Sequence, residues 1–172
     1  YDLSIRGLLS ARQFGFTPGR SAVDAICSVV TFMRETRANN NFGAIISLDV
    51  SGAFDHAWWP AILSRLKRQG TPRNLWSLCK NYFSNRTAEL EIGGCSRFRS
   101  ATMGCPQGSA CGPGFWNVLY DGVLDLALPS GCKLIAFADD LVLACKADTP
   151  SLLELRANVA VDLVVNWGRT VK

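Results

Sequence analysis

Asp139 and Asp140 stand side by side between two wholly apolar runs, Leu134-Ile135-Ala136-Phe137-Ala138 and Leu141-Val142-Leu143-Ala144. Adjacent like charges beside a core are unfavourable unless a cation neutralises them or one takes up a proton. The plain alternative is a solvated hairpin turn, where Asp is common. Asp49 shifts the balance. It closes a second apolar, β-branched run, Ala44-Ile45-Ile46-Ser47-Leu48, and is followed by Gly52-Ala53-Phe54-Asp55. If the two segments are neighbouring strands, their ends bring Asp49 to Asp139 and Asp140. Three oxygen donors with no nearby His or Cys suit Mg²⁺ or Mn²⁺ better than zinc. Two such ions about 4 Å apart serve in-line phosphoryl transfer, one acidifying the attacking hydroxyl and the other steadying the leaving oxygen. That is the chemistry of nucleotidyl transfer.

A third constellation is Met103-Gly104-Cys105-Pro106-Gln107-Gly108-Ser109. Its Gly and Pro residues exclude regular structure and let backbone approach a ligand closely. Gln107 offers a donor and an acceptor, and Ser109 can cap the helix that follows. A bare strand-to-helix connection accounts for this loop equally well. Cys105 and the sole histidine, His56, also admit a thiol–imidazole hydrolase. No third, orienting group is evident, and His56 follows directly on Asp55.

The elements that must carry these residues form an α+β domain. Ser21 and Asp24 make a capping box, and Ala22, Ile26, Val29, Val30 and Met33 recur at helical spacing, so 22–38 reads as an amphipathic helix. Residues 44–49 read as a buried strand. Helices over 59–69 and 72–84 are separated by Gly70-Thr71-Pro72, and strands 87–92 and 95–101 flank the hairpin signal Gly93-Gly94. A helix over 109–127, two strands hinged on Asp139-Asp140 and a last helix from 150 complete the chain. Helices and strands mix without regular βαβ alternation.

Composition narrows the class. The 172 residues are 48% apolar and 19% charged, enough for a folded core. No run reaches the roughly 20 apolar residues of a membrane span. The seven cysteines are odd in number, show no C-x2-C or C-x4-C spacing and, with His56 alone, write no zinc site. This reads as a reduced, intracellular protein. Residues 1–120 carry a net charge of +6 and residues 121–172 a net charge of −2. A basic N-terminal portion suits a polyanion such as nucleic acid. The opening Tyr1-Asp2-Leu3 has neither an initiator Met nor a signal sequence, and reads as a piece of a longer chain.

In this order, the segments resemble the blocks of reverse transcriptases carried by retrotransposons without long terminal repeats. Leu48–Asp55 is similar to their first palm block, Gly104–Ser109 to the Pro-Gln-Gly block, and Phe137-Ala138-Asp139-Asp140 to the hairpin with the remaining acids. Gln13-Phe14-Gly15-Phe16-Thr17-Pro18-Gly19-Arg20-Ser21 resembles a fingers block, and Phe54-Asp55-His56-Ala57-Trp58-Trp59 looks like that of insect elements inserted in ribosomal genes.

The resemblance implies a polymerase palm, a ferredoxin-like antiparallel sheet backed by helices, over 43–172, with partial fingers over 1–42 and the thumb absent. It implies two Mg²⁺ (or Mn²⁺) ions held by Asp49, Asp139 and Asp140, with Val50 as a further ligand. Phe54 would be the steric gate against a 2′-OH. Gln107, Gly108 and Arg20 would meet the incoming nucleotide or the template. The partners implied are an RNA template, a DNA primer, deoxynucleoside triphosphates and the rest of a parent polyprotein, with no membrane and with action in the nucleus. The next palm block of the family carries a lysine beyond Trp167, a role not assigned to Lys172. Without a thumb the piece is expected to hold primer–template weakly and polymerise poorly. A polymerase-like nucleic-acid-binding domain without chemistry is the alternative.

Overall fold

A computed structural model describes residues 9–171; Tyr1-Asp2-Leu3, Lys172 and the first residues of the expected fingers segment lie outside them. The elements are α1 (Ala22–Ala38), β1 (Phe42–Leu48), α2 (Trp59–Arg68), α3 (Arg73–Phe83), β2 (Thr87–Ile92), β3 (Cys95–Ser100), α4 (Gly112–Leu124), β4 (Cys132–Phe137), β5 (Asp140–Ala147) and α5 (Pro150–Val171). The fold is α+β. An antiparallel three-stranded sheet has the order β1-β5-β4, and β2 and β3 form a separate hairpin. Among the described residues no helix is long and apolar enough to cross a membrane.

Helices cover both faces of the sheet. On one side lies α1, where the Lys133 ammonium donates to Ser28 Oγ at 3.3 Å and that of Lys146 sits 5.5 Å from the Phe32 ring centre. On the other side Ile46, Leu48, Leu134, Ala136, Leu141, Leu143 and Cys145 join one core with α2, α4 and α5. The central helix is α4. Trp116 through Asp121, Val123 and Leu124 are all buried, as expected of a helix apolar nearly all round. Gly122 lets α5 approach it, since a Cβ there would lie 2.9 Å from Trp167 Nε1.

Local chemistry explains the helix ends. Ser21 caps α1 by accepting the Asp24 N–H, and the Asp24 carboxylate accepts the Ser21 N–H at 2.7 Å, completing the expected capping box. Arg65, Lys67 and Arg68 in the last turn of α2 complement its dipole, and Gly70 then takes a φ of +70°.

Three expectations change. The strand expected to be buried, β1, is an edge strand and alternates: Ala44, Ile46 and Leu48 turn inward and Ile45 is half exposed. Helix α1 buries Ala25 and Thr36, while Ile26 is exposed. It rests on the sheet through Met33 and Thr36, both against Gly43, leaving Ile26 and Val30 of the expected stripe outside. Helix α4 is shorter than 109–127. Ser109 does act near its start, accepting the Gly112 N–H at 2.9 Å, while Cys111 is the N-cap residue.

Candidate active site

Sheet register places the acids. Leu48 pairs with Leu141 and Phe137 with Asp140. Asp49, the next residue along β1, therefore falls level with Asp140, and Asp139 lies in the two-residue turn between β4 and β5. Asp49 and Asp140 are exposed, and Asp139 is half-buried. Their fields converge on one atom. The Tyr120 phenol is pushed well above its usual range, first by burial and then by the charges of Asp139, Asp140 and Asp49. Its hydroxyl donates to the Asp139 carbonyl at 3.0 Å.

The turn is held from below by residues distant in sequence. Ala138 has a φ of +56°, a left-handed conformation costing a non-glycine residue roughly 1–3 kcal/mol unless its surroundings impose it. Here they do. Gln13, fully buried, accepts the Ala138 N–H at 3.2 Å and the Gly15 N–H at 2.9 Å through Oε1, and donates from Nε2 to the Ala138 carbonyl at 3.3 Å. Trp116 Nε1 donates to the same carbonyl at 3.1 Å. The Gln13 segment runs along the free edge of β4, with Phe14 N–H to Ala136 O at 2.8 Å and Ala136 N–H to Arg12 O at 2.9 Å. Gly15 presses so close that a Cβ would lie 2.0 Å from the Ala138 nitrogen.

The Pro-Gln-Gly loop is fastened to the segment after Asp49. Cys105 N–H donates to Phe54 O at 2.7 Å, Gly104 N–H to Ala57 O at 2.8 Å, and Trp59 Nε1 to Gly104 O at 2.8 Å. Gln107 and Gly108 are exposed at its tip, and Gln107 lines a cleft of about 240 Å³ with Asp55, Trp59, Arg86 and Met103. Phe54 lies within an aromatic ladder. It meets Phe16 edge-on at 6.0 Å and stacks on Trp116 at 5.6 Å; Trp116 in turn stacks on Tyr120 at 4.9 Å. The ladder joins the expected gate to the turn bearing the acids.

Two expected site residues are engaged locally. The Arg20 guanidinium donates to the carbonyls of Gln13 at 2.7 Å and Ser10 at 3.1 Å. The Val50 carbonyl accepts the Ala53 N–H at 3.2 Å. Cys105 is buried and its thiol is pushed up to about 11, while His56 Nδ1 lies 3.0 Å from the Gly52 carbonyl. A protonated, buried thiol is a poor nucleophile, so the hydrolase reading has no support.

For a metal, the donor chemistry fits: carboxylates in register at one sheet end, without imidazole or thiolate among them. Among the described residues, however, no three His, Cys, Asp or Glu side chains are grouped as a formed metal site. Gln13, Trp116 and Tyr120 carried no assigned role in the sequence reading. The spacing of Trp116 and Tyr120, four apart on one helix, is the signal that would have paired them.

Comparison with known proteins gives the family. Residues 3–172 match the family model described as reverse transcriptase (RNA-dependent DNA polymerase). The chain is 36% identical over 160 residues to a 115 kDa protein in the type-1 retrotransposable element R1DM of Drosophila melanogaster, covering 92% of this chain and 15% of that protein. It is 32% identical over 164 residues to the retrovirus-related Pol polyprotein from the type-1 retrotransposable element R1 of Bradysia coprophila, covering 95% and 16%. The chain thus spans about a sixth of these relatives. Telomerase from Candida tropicalis, solved with a fragment of telomeric RNA, superposes with a TM-score of 0.70 at 12% identity, over 96% of this chain and 30% of that one; this likeness concerns the fold. With the family model matched almost from end to end and the insect elements similar along nearly its full length, the chain belongs to the reverse transcriptase family.

Proposed function

We propose that the chain forms the palm (43–172) and part of the fingers (1–42) of a retrotransposon reverse transcriptase. The parent protein adds deoxynucleotides to a primer 3′-OH under the direction of an RNA template, in the nucleus. The observation that carries this reading is the sheet register, which sets Asp49 level with Asp140 beside Asp139.

Asp49, Asp139 and Asp140, with the Val50 carbonyl, would hold Mg²⁺ or Mn²⁺. Bound there, two ions would acidify the attacking hydroxyl and stabilise charge on the leaving oxygen. The protein supplies position: Gln13, Trp116 and Tyr120 hold the backbone of Ala138 and Asp139. Phe54, backed by Trp116 and Phe16, is a stiff surface against which a 2′-OH would clash. Gln107 and Gly108 stand exposed toward nucleotide or template, and Arg20 braces the Gln13 loop that holds the turn bearing Asp139.

The test is incorporation on an RNA template by a longer chain that restores the flanking segments. Deoxynucleotide incorporation that disappears on chelation and in Asp139→Ala is expected. Salt-sensitive primer–template binding without incorporation would point instead to a domain that keeps the fold and lacks the chemistry.

A further inference from the structure

Between Asp55 and Glu89 the chain has no acidic residue, yet Arg65, Lys67, Arg68, Arg73, Lys80 and Arg86 all fall there. Arg65 is accounted for: it pairs with Asp121 at 3.0 Å and Asp125 at 2.8 Å. Among the described residues no other ion pair forms. Lys67 at the end of α2 and Arg73 and Lys80 on α3 line one cleft of about 730 Å³, together with Trp76, Ser77 and Asn81. Arg73, Trp76 and Lys80 follow one another at the spacing of a single helix face. Helix stability does not explain them all, because Arg73 stands in the first turn, where a cation opposes the helix dipole.

Trp76 is anchored among these charges. Its indole Nε1 donates to the Leu63 carbonyl at 2.9 Å, and the Lys80 ammonium lies 5.7 Å from its ring centre. An oriented ring flanked by cations suits a chain of phosphates whose bases can stack. This cleft shares no lining residue with the Gln107 cleft.

We propose that the α2–α3 face is a second nucleic-acid contact, which takes a single strand with phosphates on Lys67, Arg73 and Lys80 and a base against Trp76. An acidic peptide would satisfy the cations and leave the ring without a partner. The proposal does not rest on the polymerase reading.

The test is fluorescence anisotropy of labelled oligouridylate and oligothymidylate with the whole chain over a salt series. The variant is Lys67→Ala/Arg73→Ala/Lys80→Ala, with the exposed pair Arg34→Ala/Arg37→Ala on α1 as control. Losing three phosphate contacts on a single strand should reduce the slope of log affinity against log salt by about 2. At fixed salt the affinity should fall at least about tenfold. Arg34→Ala/Arg37→Ala should bind as the unchanged chain does, which separates this surface from a general loss of positive charge. Amine-reactive footprinting of the unchanged chain should show Lys67 and Lys80 protected by the oligonucleotide. Unchanged slope and affinity in the triple variant, absence of protection, or equal competition by polyglutamate would overturn the proposal.

Discussion

A carboxylate at the end of a strand is cheap when it reaches water and costly when it does not. Asp49 and Asp140 reach it, so neither needs a partner to fold, and both are available to a ligand. Tyr120 is the opposite case, buried and facing all three charges, and its proton is retained for donation to the Asp139 carbonyl. Phe54 is held on two sides by rings, so a smaller side chain there opens space without moving its neighbours. Phe54→Val should relax sugar discrimination by about 10-fold or more, within the range that loss of a few methylene-sized contacts produces. The check is kcat/KM for ribonucleoside against deoxynucleoside triphosphates in the longer chain. Phe54 was marked only by the resemblance of its block, whereas the acids and the Pro-Gln-Gly loop stood out because each breaks a local rule: charge beside an apolar run, or glycine and proline between elements. Gln13 broke none. Its role depends on a contact 125 residues away, which no local pattern encodes.

At the scale of elements, the β4–β5 turn is specified jointly by its own two residues and by the Gln13–Gly15 segment at the edge of β4. Gln13→Leu would leave the Gly15 and Ala138 N–H groups buried without acceptors, a loss of about 1–3 kcal/mol for each. Gly15→Ala would force backbone apart and should cost about 1–3 kcal/mol by overpacking. In both variants kcat should fall by about 100-fold, the scale expected when reacting groups shift by about 1 Å. Denaturant midpoints and single-turnover rates measured together check this; a stability loss with unchanged kcat would make the clamp merely structural. Element order was readable from periodicity and turn residues, and the β2–β3 hairpin falls where Gly93-Gly94 put it. The exposure of β1 and the facing of α1 were not. An edge strand and a central strand share the same apolar run, and a helix can rest on only part of its apolar stripe. Only the neighbours decide.

Across the whole molecule, Asp121 ties the chain's beginning to its middle, accepting the Ser10 N–H at 2.7 Å and the Arg65 guanidinium at 3.0 Å. Burial nevertheless outweighs these bonds and raises its carboxyl above the ordinary 3.8. A raised acid favours the folded state most when protonated, so its contribution is full below 3.8 and declines as pH rises through the folded value. The unfolding free energy of the unchanged chain minus that of Asp121→Asn should therefore decrease from below pH 3.8 to neutrality. A difference that grows with pH would mean that Arg65 and Ser10 outweigh burial.

If β1 and the β4–β5 turn build one site, Asp49 and Asp139 act as a unit, and a double-mutant cycle on the two measures this. Single-turnover incorporation on an RNA template is compared for Asp49→Asn, Asp139→Asn and the pair in the longer chain. Each single variant should lose at least about 10³-fold and the pair little more, as residues acting as a unit do. Near-native activity in either single variant, or losses that multiply in the pair, would contradict a single site.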